Sequence, residues 1–435
     1  MKNNLRYMIL IIFSVFFITS CMTKDEKSVS ATIDFWTFPN FTSESGKAGD
    51  FEQSLIDAFR KENPSIKINF KLLSFADGGK EIQDAIDKGN PPDIIYDAPG
   101  RILSWANSGL LEPLDDVLAT EKPYITVGLL AVSAGKDRRS YMYPIHCGPF
   151  SMAFNKEMLE DLGLIDLLPY TRRDRQWTLG EYEKLLSALR SKLPSEKTPG
   201  VFFYKTQGGD QGTRAFLVNL YGNARLLNGD YSQYVFNTPN AVKNLDWTVK
   251  AMKTGLLFDG KDMTSNDAIQ MFVESNAAHT ILYSPQLNKM YDGKRNYKGK
   301  DFTPIYMPFP NSSSAPVLEF LAGGACIFKT SNKNRTKAAK KFLHFMATDE
   351  VWAQKVINAT GGFPASSKVS VETKDPEILY NSVLQRFYGQ YYNNINGFGD
   401  MRGYWNTALK NAASGKDIQS VLDVFVRDSN NSLKK

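Results

Sequence analysis

Two carboxylates, Asp97 and Asp210, are the side chains of this chain best suited to acid–base chemistry. Asp97 follows an apolar run with strand character, and Asp210 stands in a glycine-rich loop before a helical pattern. Two carboxylates that face each other across a cleft are the machinery of glycoside hydrolysis. The chain contains no G-x-S-x-G, H-E-x-x-H or Cys/His pattern that would supply a different nucleophile or a catalytic metal. The residues alone therefore leave open a glycan hydrolase and a binding protein without catalysis.

Histidine and cysteine, the usual ligands of transition metals, are scarce in this sequence. They are His146, His279, His344, Cys21, Cys147 and Cys326. No CxxC motif or Cys/His cluster is present, and we predict neither a metal site nor a cofactor. We expect Cys147 and Cys326 to be buried free thiols, which pack like small hydrophobic groups.

The first thirty residues have the pattern of an export signal. Lys2 and Arg6 precede an apolar run over residues 7–18, which is shorter than the ~20 residues that span a bilayer. Ile18-Thr19-Ser20-Cys21 resembles the bacterial lipobox, in which the cysteine is lipidated and becomes the mature N-terminus. We predict a signal peptide over residues 1–20, lipidation of Cys21 and a polar tether over residues 21–30. The protein would then be extracytoplasmic and anchored to the bacterial membrane.

Length and composition limit the remaining options. The chain has 435 residues, and without residues 1–20 it is still long enough for two domains of ordinary size. Its formal net charge of +6 is modest and is not concentrated in an Arg/Lys block, which argues against nucleic acid as a partner. Aromatic residues make up 12% of the chain, enough to fill cores and also to supply flat apolar faces to a pocket.

Strand and helix patterns alternate after the tether. Strand patterns cover residues 32–36, 66–72 and 93–97, and apolar residues at helical spacing lie between them. Such βα units predict an α/β fold with a mainly parallel sheet and helices on both of its faces. The rest of the chain is rich in helical patterns. One of these begins at a capping box, Thr178-Leu179-Gly180-Glu181, and two others begin after Asp375 and Asp417.

Several motifs along the chain together resemble one family. They are Ser54–Phe59, Asn63–Ile68, Gly89-Asn90-Pro91-Pro92-Asp93-Ile94-Ile95, Ser108–Asp115, Tyr143-Pro144-Ile145, Phe154-Asn155-Lys156, Phe272–Leu282, Ala338–Met346, Gly361–Ala365 and Asn411–Gly415. In this order they resemble the bacterial extracellular solute-binding proteins of family 1, the group that contains the maltodextrin-binding proteins. The resemblance covers nearly all of the chain after the tether.

The resemblance implies two α/β lobes with a ligand cleft between them, in the type II periplasmic-binding-protein fold, which closes on its ligand by hinge motion. It places residues 31–146 and 284–324 in the first lobe, and residues 147–283 and 325–435 in the second. It implies a monomer, not an enzyme, that captures a mono- or oligosaccharide, including acidic sugars, and delivers it to the permease subunits of an ABC importer. A lipid-anchored glycan hydrolase and a sensory module that presents its ligand to a membrane receptor remain alternatives.

A sugar has polar edges and apolar C–H faces, and its site therefore needs aromatic rings and planar polar groups. The resemblance and the rule that ligands bind beyond the carboxyl ends of strands indicate where such residues lie. The predicted ligand-binding residues are Phe38, Asn40, Asp97, Arg101, Gln207, Asp210, Tyr283, Ser284, Gly362, Phe363, Arg402, Tyr404 and Trp405.

The chain departs from the family's sugar binders after the third strand. Asp97 stands where an aromatic residue is usual and Gly100 where an acid is usual, and only Arg101 is kept. This departure argues against linear maltodextrin as the ligand. The resemblance also places Cys147 and Cys326 in segments that cross between the lobes, and a disulfide between them is therefore an alternative to two free thiols.

Overall fold

The structure is a computed structural model that describes residues 29–74, 77–206, 208–371, 373–391 and 395–434. The predicted signal peptide and Cys21 lie outside these residues. Within them the strands are β1 (Ala31–Thr37), β2 (Ile66–Leu72), β3 (Ile94–Asp97), β4 (Tyr143–Pro149), β5 (Ser151–Asn155), β6 (Thr198–Phe203), β7 (Phe258–Gly260), β8 (Ala277–Tyr283), β9 (Pro304–Met307), β10 (Phe320–Ile327) and β11 (Phe363–Pro364).

The described residues form sixteen α-helices, half of which begin at a side chain that accepts a hydrogen bond from a first-turn N–H group. They are α1 (Asp50–Glu62), α2 (Gly78–Asp87), α3 (Pro99–Asn107), α4 (Asp115–Leu118), α5 (Val127–Ala131), α6 (Lys156–Asp161), α7 (Leu179–Lys192), α8 (Asp210–Val218), α9 (Pro239–Lys253), α10 (Ser265–Val273), α11 (Pro285–Met290), α12 (Lys333–Thr348), α13 (Trp352–Thr360), α14 (Pro376–Leu384), α15 (Phe398–Ala413) and α16 (Ile418–Ser432). The predicted capping box is confirmed, because Thr178 and Glu181 bond each other's backbone at the start of α7. The predicted helix starts after Asp375 and Asp417 are also confirmed, and the two side chains cap α14 and α16.

The strands form two sheets. One has six strands in the order β11-β4-β10-β3-β1-β2, and the other has five in the order β7-β6-β8-β5-β9. β1 lies parallel to β2 and β3, as the alternation of strand and helix predicts. The prediction of a mainly parallel first sheet is wrong for its other half, where β10 runs antiparallel to β3 and β4, and β11 antiparallel to β4. Those strands carry the chain to and from the second sheet and do not belong to local βα units.

Strand pairing divides the chain differently from the predicted lobe boundaries. β9 falls in the stretch 284–324, predicted for the first lobe, but it pairs with β5 in the second sheet. β10 and β11 lie in the first sheet and α12 packs on β1, although most of these residues fall in the stretch 325–435, predicted for the second lobe. The reason is that the chain crosses between sheets three times: between β4 and β5, between β9 and β10, and after β11.

A ribbon formed by β4 and β10 connects the two sheets. Asp97, the last residue of β3, pairs with Gly324 of β10, and β10 begins four residues earlier at Phe320, opposite Pro149 of β4. Four extended residues span about 13 Å. The carboxyl ends of β1, β3 and β4 point towards the second lobe, and those of β6, β8 and β9 point towards the first. The cleft therefore lies between two sets of strand ends, beside the ribbon.

Each lobe has its own core. In the first lobe α1, α12 and α13 cover one face of the sheet and α2 and α3 cover the other, which confirms the prediction of helices on both faces. Trp105 of α3 and Trp247 of α9 are buried within these cores. No helix among the described residues combines the length and hydropathy needed to cross a membrane.

Candidate ligand-binding cleft

The first lobe contributes an ion pair between Asp97 and Arg101 to the cleft. Arg101 Nε donates to Asp97 Oδ2 at 2.5 Å, and Arg101 Nη2 donates to Asp97 Oδ1 at 2.8 Å. The Asp97 side chain is only 5% exposed, whereas the Arg101 side chain is 50% exposed. The group that the first lobe offers to a ligand is therefore a guanidinium with fixed direction, and Asp97 serves as its partner.

The Phe38 ring packs against the Arg101 guanidinium. Its ring centroid lies 4.7 Å from Arg101 Cζ, and the ring is 2% exposed because it packs against Leu73 and Ile82 in the core. Phe38 is therefore too deeply buried to contact a ligand in this conformation, which contradicts its prediction as a ligand-binding residue. Asn40 is half-buried in the following loop, where its N–H donates to the Phe38 carbonyl at 2.6 Å.

The second lobe contributes a longer ion-pair network, formed by Arg402, Asp210, Arg214 and Glu319. Arg402 Nη2 donates to Asp210 Oδ1 at 2.7 Å, and Asp210 also accepts from Arg214. Arg214 Nε and Nη2 each donate to a Glu319 carboxylate oxygen at 2.8 Å. Arg214 is fully buried, and Arg402 is 27% exposed at the end of the network. Because Glu319 immediately precedes β10, the network ties a crossing segment to the wall of the second lobe.

Glycines allow Asp210 to sit at this edge. Gly209 precedes α8 with a left-handed φ of 73°, and a Cβ on it would lie 2.2 Å from Ser265 Cβ. A Cβ on Gly212 would lie 2.9 Å from the Ile281 carbonyl oxygen. The first turn of α8 can therefore approach the end of β8 closely enough to place Asp210 beside the cleft.

The ribbon formed by β4 and β10 contains a buried, neutral histidine. His146 Nδ1 lies 2.6 Å from Tyr96 Oη, and burial lowers the pKa of His146 to about 4. A Cβ on Gly323 would lie 2.2 Å from His146 Cε1, and the neighbouring strand therefore needs glycine there. At neutral pH this part of the cleft floor carries no charge from histidine.

Gln286, in the first turn of α11, is a polar residue of the cleft that is absent from the predicted ligand-binding residues. Its amide lies over the ribbon, where a Cβ on Gly148 would be 2.6 Å from both amide atoms and a Cβ on Gly362 would be 2.8 Å from Nε2. Both amide atoms are buried and have no hydrogen-bond partner among the described residues. Such a group is costly unless something binds it. The sequence signal that could have indicated Gln286 as a cleft residue is its position three residues beyond the end of β8, where cleft residues are expected.

Several predicted ligand residues lie in the cores instead. Tyr283 is fully buried between Phe272 and Tyr306, and Trp405 is 1% exposed beside Phe236 and Phe425. Trp405 Nε1 donates to Thr213 Oγ1 at 3.1 Å, which satisfies its only polar group. These two rings fill the second core and cannot stack on a ligand in this conformation. Phe363, also buried, packs in the first core.

Three further predicted residues also have structural partners. Ser284 is buried and caps α11 by accepting from the Leu287 N–H. Gly362 makes room for Gln286, as described above, and Tyr404 is half-buried against the second core. Gln207 lies outside the described residues. Of the predicted set, Asp97 with Arg101 and Asp210 with Arg402 are the residues that the structure brings together in charged pairs.

Both cysteines in the described residues are buried and free. Cys147 pairs with Ala322 of β10, four residues from Cys326 on the same strand, so about 13 Å of extended backbone separates them. The disulfide alternative is therefore wrong, because bridged cysteines need Cα atoms within about 7 Å. The expectation of two buried thiols is confirmed, and burial raises the pKa of Cys147 to about 11.

Two α/β lobes, joined by crossing strands and separated by a polar cleft, define a hinged two-lobe binding protein. The sequence profile described as bacterial extracellular solute-binding protein matches residues 43–351, and the chain belongs to this family. The predicted family and fold class are confirmed.

Solved structures are similar to this chain in fold, and one curated relative is similar to part of it in sequence. An ABC transporter solute-binding protein from Thermotoga lettingae TMO, bound with α-D-tagatose, has a TM-score of 0.74 and 19% identity and covers 93% of this chain and 100% of its own. An ABC substrate-binding protein from Listeria monocytogenes in complex with cycloalternan has a TM-score of 0.70 and 16% identity, covering 93% and 99%. A protein of Brucella abortus (strain 2308), named a binding protein, is 24% identical over 120 residues. That stretch is 28% of this chain and 29% of the relative.

Proposed function

We propose that the protein captures a carbohydrate in the interlobe cleft, without chemical turnover, and delivers it to an ABC importer. The observation that carries the proposal is Gln286, a buried amide without a partner on the floor of the cleft. Amides and paired arginines are groups that bind sugar hydroxyls in fixed directions. Family membership and the sugars named with the Thermotoga and Listeria structures support the same ligand class.

The charges of the cleft favour a neutral sugar over an acidic one. Arg101 is paired with Asp97, and the two arginines of the other wall share Asp210 and Glu319. Each wall is thus close to electrically neutral, and a bound carboxylate would have to compete with those already in place. We expect neutral sugars to bind more tightly than the corresponding uronic acids.

Gln286→Ala is expected to weaken binding of the tightest-binding sugar about tenfold. The variant removes one or two hydrogen bonds to the ligand, about 1–1.5 kcal/mol in total. The measurement is a thermal-shift screen over neutral sugars, uronic acids and polyols, followed by calorimetric titration of the best binder with both proteins.

Gln83→Ala is the matched control, because this glutamine is exposed on α2, where its amide donates to Asp87 at 2.7 Å. It is expected to bind like the unmodified protein. The absence of a thermal shift with every carbohydrate would contradict the proposal. So would cleavage of a glycan in the same mixtures, detected by chromatography.

The hydrolase alternative receives no support from the two candidate carboxylates. Asp97 accepts from Arg101, and Asp210 accepts from Arg402 and Arg214, so both carboxylates already have arginine partners and neither is placed to contact a glycosidic oxygen. The two carboxylates are also far apart. Asp97 pairs with Gly324 of β10, and about 16 Å of extended chain separates Gly324 from Glu319. Asp210 lies near Glu319, because both carboxylates accept from Arg214. Glycosidases hold their carboxyl groups about 5–10 Å apart.

Lipidation of Cys21 completes the proposal, since an anchored binding protein stays beside the importer. Cys21→Ser is expected to move the protein from the membrane fraction to the soluble fraction of the cells that make it, because the acyl chains hold it by ~0.8 kcal/mol per buried methylene. The measurement is fractionation with mass spectrometry of the N-terminus. Cys147→Ser, which changes a buried thiol, is the control. A Cys21→Ser protein that remains membrane-bound would contradict the anchor.

A further inference from the structure

The end of the first lobe that lies opposite the cleft carries an excess of positive charge. β1, β2 and β3 run parallel, and their amino ends therefore meet at this end of the sheet. α1 and α2 finish there and α12 begins there, because these helices connect to the strands at the same end. We call five lysines of this surface the lysine face: Lys61, Lys67, Lys88, Lys333 and Lys337.

The turn between α1 and β2 brings two of these lysines to the residue where the described chain begins. Ser65 Oγ donates to the Val29 carbonyl at 2.9 Å, which holds the turn between Lys61 and Lys67 against the start of the chain. Lys67 itself pairs with Thr32, the second residue of β1. The lysine face therefore surrounds the point at which the chain enters the first lobe.

Arg335 fixes the first turns of α12 at the same end of the strands. Its Nη2 donates to Asp34 of β1 at 3.1 Å and to Asp93, just before β3, at 2.6 Å. Lys333 and Lys337 are four residues apart, so they leave the same side of the helix. Both are exposed, and this side of α12 therefore presents its charges to the surroundings of the lobe.

The ammonium groups of the lysine face are available to a partner. All five lysines are exposed, and none of them forms an ion pair with another of the described residues. The acids Asp34 and Asp93 already share Arg335. The exposed acids next to these lysines in sequence are Glu62 and Asp87, too few to cancel the positive charge. Such a surface attracts a polyanionic partner.

The membrane is the anionic surface to which the predicted anchor ties this end of the lobe. Val29 follows Cys21 by eight residues, a length of chain that spans at most about 28 Å. Lipidated Cys21 therefore keeps Val29 within that distance of the headgroups and gives the lysine face a high effective concentration there. The cleft lies at the other end of β1, about 23 Å of strand away.

We propose that the lysine face binds anionic phospholipid headgroups, so that the anchored protein rests on the membrane with the first lobe down and the cleft turned away from the bilayer. In this pose the cleft is open to ligand from the surrounding solution. The inference rests on the lipid anchor of the proposed function and goes beyond it. Lysines attract headgroups as point charges, and salt screens this attraction over about 10 Å. The contact is therefore reversible, and the protein can leave the surface when it meets the importer.

The test is lysine modification of the purified lipoprotein in vesicles of phosphatidylcholine alone or with added phosphatidylglycerol. Reductive methylation with formaldehyde, followed by peptide mass spectrometry, gives a rate for each lysine. The lysine face is expected to react at least about threefold more slowly on the phosphatidylglycerol vesicles, because headgroups cover it. High salt is expected to abolish the difference. Lys184, Lys243 and Lys253, exposed on α7 and α9 of the second lobe, should react equally on both vesicles.

A charge-reversal variant tests whether the lysines themselves hold the pose. Lys61→Glu, Lys333→Glu and Lys337→Glu, combined in one protein, are expected to make Lys67 and Lys88 react at the same rate on both kinds of vesicle. The three substituted positions are exposed, and such positions tolerate substitution with little loss of stability.

The matched control reverses the same number of charges on the second lobe. A protein with Lys184→Glu, Lys243→Glu and Lys253→Glu should keep the slow reaction of the lysine face on phosphatidylglycerol vesicles. Both combined variants are expected to bind the sugar like the unmodified protein, because neither changes the cleft.

The outcomes separate this inference from the proposed function. Equal rates for the lysine face on the two kinds of vesicle would show that the resting pose is wrong, while the anchor and sugar capture stand. Slow reaction of the second-lobe lysines in its place would also refute the pose, because another surface would then face the membrane. A lipoprotein that does not float with phosphatidylcholine vesicles would overturn the anchor and this inference together.

Discussion

Arg214→Met is expected to lower the free energy of unfolding at pH 7.5 by about 3–5 kcal/mol, the usual cost of removing one partner from a buried ion pair. Arg214 is fully buried and donates to both carboxylate oxygens of Glu319 and to Asp210. Methionine fills a similar volume, and the loss would therefore come from two carboxylates that are left buried without their shared guanidinium. Denaturant unfolding of both proteins measures it.

The pH dependence of that loss separates charge from packing. Burial already raises the pKa of Glu319, and removal of Arg214 would raise it further. When a carboxyl has a higher pKa in the folded variant than in the unfolded chain, the free energy of unfolding is lowered at pH values above the unfolded pKa. This loss disappears as pH falls, because the carboxyl is then protonated in both states. The difference between Arg214→Met and the unmodified protein should therefore shrink from pH 8 to pH 4.5. An equal loss at both pH values would mean that packing alone is responsible.

Arg427→Met is the control for this experiment. Arg427 pairs with Asp428 at 2.9 Å on the surface, where its side chain is 65% exposed. Surface pairs of this kind contribute little to stability, since water and salt screen them. A loss with Arg427→Met that approaches the loss with Arg214→Met would contradict the assignment of the effect to burial.

Local elements of this fold were predictable because their signals are local. The capping box at Thr178 and the caps at Asp375 and Asp417 lie beside the helices that they begin. The alternation of Ile66, Ile68 and Phe70 is a property of one strand. Lobe membership is different, because it depends on which distant strands pair. β10 joins β3 across more than two hundred residues of chain, and no short window of sequence specifies that pairing.

The residues of the cleft were likewise predictable only where their signals are local. Asp97 and Arg101 form an i,i+4 pair, which a local pattern can indicate. Arg214 and Glu319 are 105 residues apart and meet only in the folded chain. Trp352 and Trp405 both stand in helical patterns, yet α16 covers Trp405, whereas Trp352 remains half-buried at a cavity. Periodicity indicates that a helix has an apolar face and does not indicate whether another element covers all of it.

Glu52→Gln is expected to stabilise the protein by up to about 3 kcal/mol at pH 7.5 and by little at pH 4. Glu52 is fully buried in α1, and neither carboxylate oxygen has a partner among the described residues. Burial, with a smaller contribution from Asp50, raises the pKa of Glu52 from 4.5 to about 7. Each unit of such a shift corresponds to about 1.4 kcal/mol. A neutral amide of the same shape avoids the cost of ionising the folded carboxyl.

The sign of this effect follows from proton binding. Between pH 4.5 and 7 folded Glu52 keeps a proton that the unfolded chain has released, and the stability of the unmodified protein falls through this window as pH rises. His146 and His279 act in the opposite direction. Burial lowers the pKa of both histidines to about 4, so between pH 6.5 and 4 they bind protons more readily in the unfolded chain than in the folded protein. The free energy of unfolding therefore falls as pH falls through this window. Both histidines are present in both proteins, so the difference between the two unfolding curves isolates Glu52.

The measurement is the free energy of unfolding of both proteins at half-unit steps from pH 4 to pH 8. The difference should be small at pH 4, rise between pH 4.5 and 7, and level off above pH 7. Glu62→Gln, at the exposed end of the same helix, is the matched control and should give a small difference at every pH. A difference for Glu52→Gln that is independent of pH would show that the carboxyl ionises in the folded protein as easily as in water. The unpartnered oxygens of Glu52 would then have to be solvated by water that enters the first lobe.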